Sequence, residues 1–203
     1  MQILLKTERL ILRRFAPADL DHLYALDNDP EVMRYINGGT PTPRVVIERE
    51  ILPVFLRYDE RRPGFGFWAA VLRSTGAWLG WFSFRATEEA SGQAVLGYRL
   101  CRAAWGQGYA TEGARALIAR GFSQWGVRRV VATTYEDNLA SRRVMEKLGM
   151  RLVRRFRYTP EEIARSDTFH SESTEVWDGD DVEYAIDRAG KEPMCALRRP
   201  SSP

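Results

Sequence analysis

Apolar residues fall in short alternating runs and in longer stretches at helical spacing, and the two periods divide the chain into elements. Thr7 to Arg14 (TERLILRR) reads as a first strand, and Pro17 opens a helix carrying Leu20, Leu23 and Leu26. Asp29-Pro30 and Thr42-Pro43 repeat the pattern of a capping residue before an N1 proline, predicting two further helices, the second bent at Pro53. Phe65 to Leu72 and Trp78 to Arg85 flank the turn Arg73-Ser74-Thr75-Gly76-Ala77 and predict a hairpin. Ala94 to Cys101 is a third strand of this group, with Gly97 marking a bulge or a close backbone approach. Tyr109 to Trp125 repeats small and apolar residues at helical spacing up to Gly126. Arg129 to Tyr135 is β-branched, Asn138 caps a helix that stops at Gly149, and Met150 to Tyr158 and Val182 to Asp187 complete the strands. The sum is one mixed α/β domain with seven strands.

A length of 203 residues suits one such domain. No apolar run approaches the ~20 residues of a membrane helix, and Met1 to Lys6 is too short for a signal peptide, so a cytoplasmic location is the default expectation. Cys101 and Cys195 make no disulfide framework, and no Cys/His cluster surrounds His22 or His170, which argues against a structural metal and against histidine-based triads.

The net charge of +3 is small but uneven. Arg99 to Arg155 holds twelve Arg/Lys against four Asp/Glu, whereas Pro160 to Asp181 holds eight acids and one arginine. The first region should attract anions and the second cations, unless both are simply solvated surface. Within the basic region, Gly106-Gln107-Gly108-Tyr109-Ala110-Thr111 joins a strand end to a helix start. Small residues there let backbone N–H groups converge at the positive end of a helix dipole, a phosphate-binding geometry; the plainer reading is a tight turn. The run is neither the GxxxxGK[ST] loop nor GxGxxG, because Gly113 lies five residues past Gly108.

Trp105-Gly106-Gln107-Gly108-Tyr109-Ala110 resembles the [Q/R]-x-x-G-x-[G/A] acyl-CoA loop of the GCN5-related N-acetyltransferase (GNAT) superfamily. Asn138-Leu139-Ala140-Ser141, followed by Glu146-Lys147-Leu148-Gly149-Met150, resembles that family's later capped helix. The opening TERLILR, Leu96-Gly97-Tyr98-Arg99-Leu100 and the GYATE wording are similar to the ribosomal-protein N-terminal acetyltransferases (RimJ/RimL-like). The resemblance runs from about Thr7 to Asp187 and implies a GNAT domain over residues 1–190 with a frayed tail at 191–203. It implies a mixed, mostly antiparallel twisted sheet of about seven strands flanked by helices. It further implies acetyl-CoA as co-substrate, no metal, and direct transfer of acetyl to a primary amine.

Carried over residue by residue, the resemblance puts the pyrophosphate on Gly106, Gln107, Gly108, Tyr109, Ala110 and Thr111. Pantetheine lies along Leu100, Cys101 and Arg102, with Asn138 bonding its amide. Backbone N–H groups from Tyr98 to Leu100, past an irregularity at Gly97, polarise the thioester carbonyl. Three positions depart from the pattern: Trp105 replaces the loop's Gln or Arg, Met145 stands where a thiolate-protonating tyrosine is common, and Val95 where a strand glutamate is common. Ser141 becomes the substitute general acid, directly or through water. Glu136 and Asp137 are the candidate bases, each with a cap or surface role as its alternative. Cys101 has no base to activate it and reads as a small buried residue.

A protein N-terminus, a polyamine and an aminoglycoside-like amine all fit as acceptor, and the acidic stretch favours a cationic one. The competing reading is an acyl-CoA-binding protein with little catalysis. Nucleic acid is not the expected partner, because the aromatics concentrate in strands rather than among the paired arginines, and the protein is read as a monomer or homodimer.

Overall fold

The structure, a computed structural model, describes residues 2–61, 64–87, 92–157 and 179–189. Eight strands form one sheet: β1 (Ile3–Lys6), β2 (Leu10–Arg14), β3 (Gly66–Leu72), β4 (Trp78–Ala86), β5 (Gln93–Leu100), β6 (Arg129–Tyr135), β7 (Arg151–Phe156) and β8 (Asp181–Asp187). Their order is β1-β2-β3-β4-β5-β6-β8-β7, antiparallel throughout except between β5 and β6. The mixed sheet flanked by helices is as expected, with one strand more than the seven read from the pattern. Ile3 to Lys6 pairs as an additional edge strand, and Leu4 and Leu5 pack against the core. The acids of the Pro160–Asp181 stretch up to Asp178, and the 191–203 tail with Cys195, lie outside the described residues.

The helices are α1 (Leu20–Asp27), α2 (Pro30–Asn37), α3 (Arg44–Val46), α4 (Leu52–Arg61), α5 (Tyr109–Gln124) and α6 (Leu139–Lys147). Asp29 caps α2 by accepting from the Glu31 N–H, and Asn138 caps α6 by accepting from the Ser141 N–H. Between α3 and α4 the chain makes a π-helical turn, Ile47–Ile51, so the bend expected at Pro53 is taken up just before it. A proline ring crowds the carbonyl four residues back, and widening the preceding turn relieves that.

Each face of the sheet carries its own core. Phe82, Phe84, Leu96, Leu100, Val130 and Val182 pack under α5 and α6. Phe67 and Ala69 pack with Leu23, Ile47 and Phe55 from α1, the π turn and α4 on the other face. Helix α5 seats closely on β4 because two of its residues lack side chains: a Cβ would lie 2.4 Å from Phe82 at Gly113 and 2.6 Å from Phe84 at Gly121. That seating fixes where the N-terminus of α5 meets the sheet.

Gly97 departs from one half of its expectation. The β4–β5 register runs unbroken from Gly80↔Leu100 to Ala86↔Ala94, so there is no bulge at Gly97. It is a close approach, since a Cβ there would sit 2.6 Å from Ser83 Oγ. The register shifts of this sheet lie elsewhere, between β1 and β2, between β3 and β4 past Ala70↔Gly80, and between β7 and β8 past Leu152.

Candidate active site

The parallel ladder between β5 and β6 holds for three pairs, Gln93↔Arg129, Ala94↔Val130 and Val95↔Val131, and then ends. Beyond it the two strands diverge around a cavity of about 710 Å³. On β5 the N–H of Cys101 donates to Leu79 O at 2.9 Å and Gln93 O accepts from Thr87, so both residues face β4. Strand alternation therefore turns the backbone groups of Leu96, Tyr98 and Leu100 toward the gap. This splay supplies the inward N–H groups that were expected from an irregularity at Gly97.

Of the three residues expected to run beside pantetheine, Leu100 is the one whose N–H faces the cavity. Its carbonyl is capped by the indole N–H of Trp105 at 2.8 Å. Cys101 is spent on Leu79 and, through its carbonyl, on the Ala104 N–H at 2.8 Å, while Arg102 pairs with Asp29 at 3.2 Å. Burial pushes the Cys101 thiol up, the opposite of what a nucleophile needs.

The loop before α5 is built on two left-handed glycines, Gly106 at φ +72° and Gly108 at φ +82°. The first helical bond runs from the Glu112 N–H to Gly108 O, and the N–H groups from Gly106 to Thr111 donate to no acceptor among the described residues. Gln107 turns its side chain back to Ala103 O at 2.7 Å and gives its carbonyl to Arg9 at 2.9 Å. Arg9 also pairs with Glu112 at 2.7 Å and lies over the Tyr109 ring, and Thr7 donates to the same carboxylate at 2.5 Å. Burial would push Glu112 up, but the bonds from Thr7 and Arg9 outweigh it and hold the carboxyl below its usual range. The TER and GYATE words, about a hundred residues apart, thus meet as one clamp on the loop.

Asn138 and Ser141 line the cavity beside the loop. The Asn138 carbonyl oxygen is taken by the Ser141 N–H at 3.1 Å, leaving its amide N–H groups to the cavity. Ser141 Oγ lies 3.0 Å from the hydroxyl of Tyr98, which also reaches Ser141 O at 3.2 Å. Burial pushes the Tyr98 phenol up to about 12, partly offset by its bond to Ser141, so it keeps its proton at neutral pH. Sequence reading missed Tyr98; its meeting with Ser141, 43 residues away, leaves no local pattern.

Neither candidate base, Glu136 nor Asp137, is among the residues that line the cavity. Glu136 pairs with Arg155 at 2.8 Å, and Asp137 contributes only its carbonyl, to the Tyr35 hydroxyl at 3.3 Å. The arginines beside them are also occupied: Arg129 pairs with Asp187 and Arg154 with Glu183. The carboxylates that do line the cavity include Asp181, opposite Tyr135 at the start of β8. Asp180 next to it pairs with Arg157 at 2.7 Å, whereas Asp181 has no cation paired with it among the described residues. Burial, reinforced by Asp180, pushes the Asp181 carboxyl up to about 6.

Alternation assigns these groups to faces. Tyr98 and Ser141 stand on the α5/α6 side, while Asp181, sharing a side with Val131 and Val95, stands on the α1/α2 side with Trp81, Arg85 and Arg99. The gap joins the two.

A family profile described as "Acetyltransferase (GNAT) domain" matches residues 9–151. The FsC-acetyl coenzyme A-N(2)-transacetylase of Aspergillus fumigatus is 31% identical over 192 residues, covering 85% of this chain and 77% of that protein. A GNAT-family acetyltransferase structure from Bacillus anthracis superposes with a TM-score of 0.70 at 26% identity, covering 92% of this chain and 98% of that one. The RimL ribosomal L7/L12 alpha-N-protein acetyltransferase, solved with coenzyme A, shares the fold with a TM-score of 0.71 at 19% identity over 92% and 98% of the two chains. No helix among the described residues is long and apolar enough to cross a membrane. A profile match across most of the chain, with a relative of this identity and coverage, shows that the protein belongs to the GNAT acetyltransferase family.

Proposed function

We propose that this protein transfers acetyl from acetyl-CoA directly to a primary amine, on a protein N-terminus or a small molecule, and that residues 1–190 form the domain that does so. The observation that carries the reading is a continuous set of open donors. Six unpaired loop N–H groups at the start of α5 lead to the inward N–H groups of β5 at the split. Converging loop amides and the helix dipole suit the pyrophosphate, and the Leu100 N–H suits a pantetheine carbonyl. An N–H from the Leu96–Leu100 edge suits the thioester oxygen as it gains charge. The printed names of two relatives, an acetyl coenzyme A-N(2)-transacetylase and an N-acetyltransferase, support the same reading.

The amine approaches from the α1/α2 side and must arrive without its extra proton, which Asp181, a cavity-facing carboxylate on that side with no cation paired to it among the described residues, accepts. The C–N bond forms, the tetrahedral intermediate collapses, and the departing thiolate takes a proton from Ser141, which recovers it from Tyr98.

Ser141→Ala is expected to lower kcat about 100-fold with little change in KM for acetyl-CoA, since a general acid acts only as the thiolate leaves. Steady-state kinetics check this, and equal kcat would assign the proton to water. The reading as a whole is tested by incubating the protein with acetyl-CoA and a panel of amines, following thiol release and a one-acetyl mass gain on the acceptor. Binding of acetyl-CoA without transfer to any amine would leave the protein an acyl-CoA binder.

A further inference from the structure

On the α1/α2 face, four side chains from three adjacent strands stand in a row along the cavity. The Arg85 guanidinium lies 5.8 Å from the Phe67 ring centre, Phe67 meets Trp81 edge-on at 5.7 Å, and the Arg99 guanidinium lies 5.2 Å over Trp81. Ser83 and Gly97 face each other between the arginine positions, with no room for a Cβ on Gly97. The floor is therefore low and apolar in the middle and cationic at both ends.

Both arginines are under-satisfied. Arg99 gives one terminal nitrogen to the buried Asp27 at 2.5 Å, but its Nε is buried without a hydrogen bond. Arg85 also has a buried Nε without a partner, and no carboxylate among the described residues pairs with its guanidinium. Aromatic faces compensate such a cation only in part, and a partly buried guanidinium lacking an anion is costly. Other charges line the same cavity: Glu31 and Arg34 from α2, Asp181 from β8, Arg143 and Lys147 from α6 on the opposite face, and Arg157, which is paired with Asp180. Asp27 is spent on Arg99. The cavity thus offers a carboxylate on the β8 side of the split and unfilled guanidinium donors on the β4–β5 side.

We infer that the acceptor is an amine that also carries an oxyanion, a carboxylate or a phosphate, bound by Arg85 and Arg99 while its apolar body covers Phe67 and Trp81. This rests on the acetyltransferase reading above and names the acceptor's class. Guanidinium forks match the two oxygens of either anion, and the second terminal nitrogen of Arg99 has no hydrogen bond among the described residues. The opposite charges on the two sides of the split orient such a molecule, with its amine toward Asp181 and its oxyanion away from it. The cationic acceptor suggested by the acidic stretch would instead set its second ammonium against Arg85.

The test compares matched acceptors on the intact protein with saturating acetyl-CoA: phenylalanine against phenylalaninamide, and O-phosphotyramine against tyramine. One anionic member should exceed its neutral partner in kcat/KM by roughly 10- to 100-fold, the worth of a charge-assisted hydrogen bond. Whichever pair shows the preference identifies the oxyanion. In Arg85→Met that ratio should collapse toward one, and Arg85→Lys, which keeps the charge but loses the fork, should fall between. Equal rates within both pairs for the parent protein overturn the inference, as does an unchanged ratio in Arg85→Met. If no amine is acetylated although acetyl-CoA binds, the acetyltransferase reading fails, and calorimetry with 3-phenylpropionate and phenyl phosphate on coenzyme A-loaded protein decides the anion site separately. Binding of one of them that Arg85→Met weakens supports the site, and no binding of either overturns it. Should Arg85→Met fail to fold, the comparisons on the parent protein decide alone.

Discussion

Gly108→Val is expected to abolish acetyl-CoA binding while leaving the protein folded. Gly108 caps α5 at φ +82°, a conformation that costs a residue with a side chain roughly 1–2 kcal/mol. That cost is tolerable for the fold, because a Cβ there would meet nothing closer than the Arg9 guanidinium tip at 3.5 Å. The same emptiness explains the effect on the ligand. A branched side chain placed among loop N–H groups that have no acceptor among the described residues is expected to hold a phosphate off them. Coenzyme A should therefore raise the melting temperature of the parent protein and not that of the variant. A variant stabilised by coenzyme A as much as the parent would show that the loop does not hold the phosphates.

The resemblance to the family rested on residues that are close in sequence, and those are the parts of the site that were legible. A capping asparagine, a glycine stop and a glycine-rich turn are local chemistry, so α5, α6 and the loop between Gly106 and Thr111 could be read from one window each. Alternation likewise marked the strands and, in principle, their faces. What it cannot mark is where a ladder ends. Val95↔Val131 is the last β5–β6 pair, yet nothing in AVLGYRL or RVVATTY distinguishes the paired half from the splayed half. The end of pairing depends on α5 lying down on β4, and that on Gly113 and Gly121 facing Phe82 and Phe84 from another segment.

Misreadings followed the same line. Glu136 looked available because it follows a strand beside the capping asparagine, but its partner Arg155 comes from β7. Trp105 stands out in sequence only as a departure from the loop's Gln or Arg, and the bond of its indole to the Leu100 carbonyl is set by the fold. Arg85 and Arg99 did leave a trace. In WFSFR and VLGYR each arginine falls on the same alternating face as a small residue, Ser83 or Gly97, in otherwise apolar strands. Charged and small residues sharing the inward face of central strands are a sign of a lined cavity rather than a packed core.

The separation of faces also gives the reaction its order. The proposed proton donor, Ser141 backed by Tyr98, stands on the side where α5 and α6 would hold the thiol end of coenzyme A, and the proposed base, Asp181, stands on the side where an amine would enter. The sheet keeps the acid and the base from neutralising one another, and only the split lets both reach one carbon. Two groups with opposing duties need opposite protonation states at neutral pH. A phenol pushed up to about 12 stays protonated, and a carboxyl near 6 is mostly ionised yet basic enough to accept a proton.

Asp181→Asn is accordingly expected to reduce kcat/KM for the amine by about 100- to 1000-fold near pH 7, the range of a lost general base. The parent's rate should rise with pH through a limb near 6, where Asp181 loses its proton, and the variant's profile should lack that limb. At higher pH the variant should recover in part, because more of the amine in solution is already uncharged. Stability should move the other way. Folding raises the Asp181 pKa from 3.8 to about 6, so between those values the folded state binds a proton that the unfolded chain has released. Stability contributed at this site is complete below about pH 4 and is lost as pH rises through 6. Asparagine mimics the protonated form without titrating, so the variant should melt at a higher temperature than the parent at pH 7 to 8 and at the same temperature below pH 4. Slower catalysis joined to a more stable fold is what a carboxylate kept for chemistry predicts. A variant that is both slower and less stable at pH 7 to 8 would instead make Asp181 a structural residue, and one with an unchanged pH profile would send the amine's proton elsewhere.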